Sequence, residues 1–310
     1  MPLKRTPRAR VGISGWNYAP WRGVFYPPDL KRAAELAFAS RVFESIELNG
    51  SFYSLQRPSS YATWYRETPR CFEFSIKGGR YITHLKRLRG VESALANFFA
   101  SGLLNLREKL GPILWQLPPQ LSFDPERLEP FLELLPRDLR ALERLARKHD
   151  SRLDGRSVVD TTEPNRRVRH TMEVRHPSYV DDRFLQLLSR YNVAVCVADT
   201  AGLYPIIDEG TADFGYVRLH GSKQLYVSGY DEHELEGWAT RVRSMLRRGQ
   251  DAYVYFDNDV KVRAPFDALN LERVLSALPV IEPPDVLGSV TEEPRTSWAQ
   301  WGGRSQARRA

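Results

Sequence analysis

Apolar and polar positions in this chain follow two periods that take turns. Short runs rich in β-branched and aromatic residues recur at "VGISGW" (11–16), "FESIELN" (43–49), "CFEFSIK" (71–77) and "PILWQLP" (112–118). They continue at "HTMEVRH" (170–176), "VAVCVAD" (193–199), "FGYVRLH" (214–220) and "AYVYFDN" (252–258). Their length and composition predict eight strands. Helical spacing fills most gaps between them. "PPDLKRAAELAFASR" opens on Pro and Asp, and "SSYATWYRET" stops at Pro69. "ESALANFFASGLLNLREKLG" predicts one or two helices closed by Gly111. Asp124, Asp181 and Asp231 stand as N-caps before three further helices, and "DALNLERVLSAL" follows the last strand.

Strands alternating with helices predict a parallel sheet with crossover helices. At this length a closed, TIM-barrel-like (β/α)8 barrel is the simplest solution. Two stretches depart from the pattern. "TAGLYPIIDEGTAD" is too short and too rich in turn formers for a helix between strands six and seven. Residues 138–169 are overlong and read as an insertion before strand five. The alternative, an open doubly wound sheet, wants a Gly-rich phosphate loop after strand one, and "GISGWNYAPW" has the wrong spacing. The organisation expected is a basic tail (1–10), the barrel (11–282) and a low-complexity tail (283–310). The last is disordered unless Trp298 and Trp301 dock it.

Strand parity then exposes the chemistry, because successive side chains point to opposite faces. In "MEVRHPSY" (172–179), Met172 and Val174 oppose Glu173 and Arg175. Ser45, Glu47 and Asn49 share one face of strand two; Glu73, Ser75 and Lys77 share one face of strand three; Tyr216, Arg218 and His220 share one face of strand seven. Gln116, Asp199 and Asp257-Asn258-Asp259 end strands four, six and eight. Burying one unpaired charge costs several kcal/mol, on the order of 3–5. These groups therefore pair with one another or serve a ligand at the C-terminal strand ends, where barrel active sites lie. An ion network that only fills the axis is the structural alternative.

Charge changes this picture little. The net charge of +7 sits mainly on the first ten residues and on 137–169, where ten basic residues face six acidic ones. Such a periphery attracts nucleic acid weakly and without a dedicated groove. No apolar run is long enough for a transmembrane helix, and the N-terminus lacks the apolar stretch of a signal peptide. Cys71 and Cys196, the two cysteines, read as buried free thiols in a reducing cytoplasm.

Seven pieces in order now resemble the YecE-like family, domain of unknown function 72. They are "GISGWNYAPWRGVFYP" (12–27), "FESIELNGSFY" (43–53), "FEFSIKGGRYITH" (72–84), "LGPILWQLPP" (110–119), "MEVRHPSY", "YVRLHG" (216–221) and "VYFDND" (254–259). The resemblance spans about residues 11–278. It implies a TIM-barrel-like fold and a cytoplasmic, mostly bacterial protein, and it carries no settled activity. Two departures stand out. Phe256-Asp257-Asn258 replaces the family's usual Phe-Asn-Asn, which alters the charge of the site. The basic stretch 141–168 is longer than usual.

The residues put forward for catalysis are Glu47 and Glu173 as general bases, with His176 and His220 as proton carriers. Trp16, Tyr18, Asn49, Tyr53, Lys77, Gln116, Arg175, Asp199, Arg218 and Asn258 are put forward for ligand binding. A divalent metal would draw on Glu47, Glu173, Asp199, His220 and Asp257, but Lys77, Arg175 and Arg218 would repel it, so a metal cofactor is not favoured. The cations suit a small anionic ligand. Lys77 is a Schiff-base candidate only with a depressed pKa, and neighbouring carboxylates are expected to raise it. Aromatics from Trp16 to Tyr53 either stack on a base or sugar or close the barrel as a satellite core. The expected function is an enzyme of hydrolase or lyase type acting on a small anionic, phosphorylated or nucleotide-like substrate. A nucleic-acid-binding protein and a non-enzymatic scaffold are the alternatives.

Overall fold

The structure, a computed structural model, describes residues 6–281. The tail expected at 283–310, with Trp298 and Trp301, lies outside the described residues. Strands β1 (Ala9–Ser14), β2 (Ser45–Leu48), β3 (Glu73–Lys77), β4 (Leu110–Gln116), β5 (His170–Glu173), β6 (Val193–Asp199), β7 (Phe214–Leu219) and β8 (Asp251–Phe256) follow chain order around the barrel. Each pairs in parallel with the next, and β8 pairs with β1 to close it. The fold is the (β/α)8 barrel that the alternating pattern predicts.

Outside the strands lie α1 (Glu35–Val42), α2 (Gly50–Tyr53), α3 (Pro58–Glu67), α4 (Glu92–Ala100) and α5 (Pro125–Leu134). They are followed by α6 (Leu139–Ala146), α7 (Asp182–Arg190), α8 (Glu232–Arg247) and α9 (Arg263–Leu275). Asp124, Asp181 and Asp231 cap their helices as anticipated, and Asp231 forms a reciprocal capping box with Glu234. Among the described residues no helix separates β6 from β7. The stretch before β5 begins with α6, capped by Asp138 and packed on α4. Its polar remainder is strapped back through Val158 N–H to the Ala100 carbonyl and through an Asp138–Arg167 bridge.

Three local expectations are corrected. β1 begins at Ala9, inside the segment read as a tail, and Arg10 is buried against Glu73 at 2.6 Å. Gly111 does not close a helix. It is the second residue of β4, where a Cβ would meet the Phe74 carbonyl oxygen at 2.8 Å. Cys71 is exposed, because it occupies the turn before β3 rather than the strand; Cys196 is buried.

Apolar strand faces meet the helices in one continuous core, and the axis is filled separately. Three layers stack along it. At the N-terminal end, Arg10 pairs with Glu73, Tyr253 Oη donates to Glu73 at 2.7 Å, and Arg169 bridges Asp251 and Tyr253. The middle layer sets the bulky Tyr216, Tyr253 and Tyr255 beside Ala194, Cys196 and Ala198. Ser45 and Ser75 bond the Tyr255 and Tyr216 hydroxyls at 2.6 Å each. Charged side chains return in a third layer at the C-terminal end.

Gly78, directly after β3, fixes how that end is finished. A Cβ there would lie 2.3 Å from the Trp115 ring. Gly78→Ala should therefore destabilise the fold by about 1–3 kcal/mol through overpacking. Denaturant titration reads this directly, and an unchanged midpoint would mean that Trp115 has room to swing aside.

Candidate functional site

The third layer is built from strand ends. Ser14 ends β1, Lys77 ends β3 and Glu173 ends β5; Glu47 and Arg218 are penultimate in β2 and β7. His220 and Asp257 follow β7 and β8 directly. Parity aims them at the axis, and parallel register brings their ends level.

Arg218 occupies the centre and is 0% exposed. Its Nε and Nη2 donate to the two oxygens of Glu47 at 3.1 and 2.8 Å. Nη1 donates to Glu173 Oε2 at 2.6 Å, and Nη2 also reaches Asp257 Oδ2 at 2.8 Å. Glu47 accepts two more hydrogen bonds, from Ser14 Oγ at 2.5 Å and Tyr216 Oη at 2.6 Å. Arg175 Nε donates to the second oxygen of Glu173 at 2.9 Å. Burial alone would raise the Glu173 carboxyl, but the Arg175 and Arg218 guanidiniums outweigh it and hold the group well below the usual range. Arg218 itself is raised: desolvation works against its charge, and Glu47, Glu173 and Asp257 overcome that.

His220 is also fully buried. Its Nε2 lies 3.1 Å from Arg218 Nη1, which needs that nitrogen as an acceptor and so places the proton on Nδ1. Nδ1 is 3.1 Å from Asp257 Oδ2 but off the line a hydrogen bond requires. Burial first, then Arg218, lowers the imidazole pKa.

Toward solvent the arrangement opens. Lys77 Nζ sits 4.7 Å from the Phe52 ring centroid and has no carboxylate within ion-pair distance among the described residues. Its pKa falls to about 8, through burial first and Arg218 next, against the pull of Glu47, Asp257 and Glu173. The expectation that carboxylates would raise it is thus overturned: Glu47, Asp257 and Glu173 do pull it upward, but burial and Arg218 outweigh them. His84 packs edge-on against Phe52 and drops to about 4 through burial and then Lys77. Asp257 is held low: burial opposes its charge, and Arg218 and His220 more than compensate. Asp259 is raised to about 7 by burial and by Asp257.

Of the residues chosen from sequence, Glu47, Glu173, Arg175, Arg218 and His220 meet in one network. Asn49 joins it through Nδ2 to Ser14 Oγ at 2.9 Å, and Gln116 is in register beside Glu173. Lys77 and the half-exposed Tyr53 lie at the mouth, the latter feeling the field of Asp257. The others do local work. His176 caps the turn Pro177–Tyr179 by accepting from Ser178 N–H. Asp199 accepts from Tyr230 Oη and Ala201 N–H. Asn258 donates to Asp267 of α9 and to the Ser228 carbonyl. Trp16 packs edge-on against Trp64, and Tyr18 donates to the Ser14 carbonyl. Trp21 and Tyr26 are buried among Tyr18, Phe25 and Phe38, so the loop after β1 is a satellite core. Sequence reading does not single out Tyr226, and it notes Phe52 among the aromatics and Asp259 at the end of strand eight without putting either, or His84, forward as a site residue. Tyr226, at φ 64°, turns its ring edge-on to His220 in a loop that carries no motif.

Among the described residues no three His, Cys, Asp or Glu side chains gather as a metal site. Arg218 stands where such an ion would have to sit between Glu47, Glu173 and Asp257. No helix of the described residues is long and apolar enough to cross a membrane.

A closed (β/α)8 barrel with an arginine-centred ion network beneath its C-terminal mouth defines the class. Residues 10–286 match the model of the family described as "Protein of unknown function DUF72", and the chain belongs to that family. It is similar to the UPF0759 protein YunF of Bacillus subtilis, at 28% identity over 80% of this chain and 88% of that protein. Among solved structures it is similar to the DUF72 family protein TM1631 of Thermotoga maritima, with a TM-score of 0.70 and 25% identity over 87% of this chain and 99% of that one. The DUF72 family protein EF0366 of Enterococcus faecalis shares the fold at a TM-score of 0.65, with 16% identity over 90% of this chain and 100% of that one.

Removing the centre should be severe. Arg218→Met leaves Glu47, Glu173 and Asp257 without their shared cation and should destabilise the protein by about 3–5 kcal/mol. Calorimetry at neutral pH reads this loss. Glu173 adds a pH signature: its folded pKa lies below its unfolded one, so its contribution is present above the ordinary carboxylate range and disappears as pH falls through the folded value. Glu173→Gln should accordingly flatten the acid limb of the stability curve, and an acid limb identical to wild type would show that Glu173 gains nothing from its partners.

Proposed function

We propose that the protein is an enzyme of hydrolase or lyase type whose active site is the C-terminal barrel mouth and whose substrate is a small anion. The observation that carries this reading is Lys77. Of the cations on the inward faces at the C-terminal strand ends, Arg175 and Arg218 are paired with carboxylates and Lys77 is not. A partly buried ammonium without a counter-ion gains most from an anion brought by a ligand. Arg175 borders the same opening with its side chain 12% exposed and offers further N–H donors.

The division of labour differs from the first expectation. Glu47 and Glu173 are fully buried and saturated with donors, so they support the mouth rather than transfer protons. Asp257 and Asp259 are the better acid–base pair. They lie two residues apart, one held ionised and the other keeping its proton to about pH 7. Carboxyls pushed apart in this way suit the roles of proton acceptor and proton donor. His220 and Arg218 hold Asp257 in place. Half-exposed Tyr53 and the partly buried Tyr226 give the opening an aromatic wall.

Thermal unfolding with inorganic phosphate as the probe tests the anion reading. Phosphate should raise the wild-type midpoint, and Lys77→Met should weaken its binding by roughly tenfold, about 1.4 kcal/mol. Equal stabilisation of wild type and Lys77→Met by phosphate would remove Lys77 from ligand binding.

A further inference from the structure

Lys77 is more than an unpaired cation. Its Cα ends β3 on the axis-facing parity, and Gly78 and Gly79 follow at once. Gly78 has no room for a Cβ beside Trp115, so the backbone that follows Lys77 lies directly against that ring. Nζ rests over Phe52, the three nearby carboxylates are bound to Arg218, and Glu173 is bound to Arg175 as well. Groups acting on Nζ are then Arg218, Glu47, Asp257 and Glu173, with His84 alongside. A lysine used only to hold an anion would keep its charge best beside a carboxylate. Desolvation next to a second cation is instead the setting of a nucleophilic amine.

We propose that Lys77 Nζ is a nucleophile that forms an imine with the carbonyl carbon of a small anionic aldehyde or ketone. This rests on the mouth being the active site and narrows its chemistry to the lyase type. The neutral amine donates its lone pair to the carbonyl carbon as the C–O π bond opens onto oxygen. That oxygen takes up a proton while the nitrogen gives one up, leaving a carbinolamine. A second proton on the hydroxyl lets it depart as water as the nitrogen lone pair closes the C=N bond, and one water is released per imine formed. Asp259, protonated up to about pH 7, is the acid available for the hydroxyl. The iminium formed in this way, still carrying its N–H proton, draws electrons from the adjacent carbon, which eases C–C cleavage or proton loss there. Arg175 is placed to hold the anionic end of such a substrate.

Borohydride trapping tests this on the intact wild-type chain. The protein is incubated separately with pyruvate, a carboxylate probe, and with dihydroxyacetone phosphate, a phosphate probe. Sodium borohydride then reduces any imine to a stable secondary amine, and peptide mass mapping locates it. At least one probe should label Lys77 roughly tenfold more than the exposed Lys31, Lys86 and Lys223, as an activated amine requires. Lys77→Arg keeps the charge and should lose the adduct while retaining stabilisation by phosphate. Labelling of Lys77 no greater than that of the exposed lysines with both probes overturns the imine. If phosphate still stabilises the wild type in that event, the anion-binding mouth survives; if it does not, both readings fall.

Discussion

One guanidinium with no access to solvent governs the upper half of this barrel. Arg218 donates to Glu47, Glu173 and Asp257, which arrive on β2, β5 and the end of β8. Buried ions pay heavily for leaving water, and such a network is sound only when every member is satisfied. Geometry achieves this for the carboxylates, because Arg presents a planar fork of donors that all three can share, while His220 Nδ1 and Asn49 Oδ1 are left without a hydrogen bond. Everything nearer the solvent inherits its properties from that arrangement. Lys77 lacks a counter-ion because Arg218 and Arg175 took the candidates, and Asp259 keeps its proton because it is buried and because Asp257 beside it keeps its charge.

The same observation reconciles two readings that looked exclusive. An ion network does fill the axis, at both ends, and at the C-terminal end Glu47, Glu173 and Arg218 are fully buried. Its outer edge is another matter. Lys77, Arg175 and Asp257 are only partly buried, and under the proposed function structural and chemical roles divide by depth.

Much of the barrel was legible because its strands carry charge on one face only. "FESIELN" and "YVRLH" announce an inward Glu47 and Arg218 by parity, and both arrive where parity sends them. Height along the axis was not legible. Glu73 and Lys77 share a face of β3, yet Glu73 serves the opposite end with Arg10. Nor could single strands reveal partners across the chain: Asn258 turns to Asp267 on α9, and His176 spends its ring on the turn that follows it. Lys77 shows the deeper difficulty. Counting nearby carboxylates predicts a raised pKa, whereas burial and the Arg218 charge outweigh them, and both are properties of eight strands together.

The middle layer has a sense of direction. Tyr216 Oη gives its proton to Glu47, so at 2.6 Å from Ser75 Oγ it has only lone pairs left to offer, and the one serine proton is shared between that phenol and the Pro112 carbonyl at 3.0 Å. The phenol dipole of Tyr216 thus runs from the middle layer up to the carboxylate. The barrel's waist is polarised, not merely plugged, and a substitution at mid-height would be felt electrically at the rim through a single phenol.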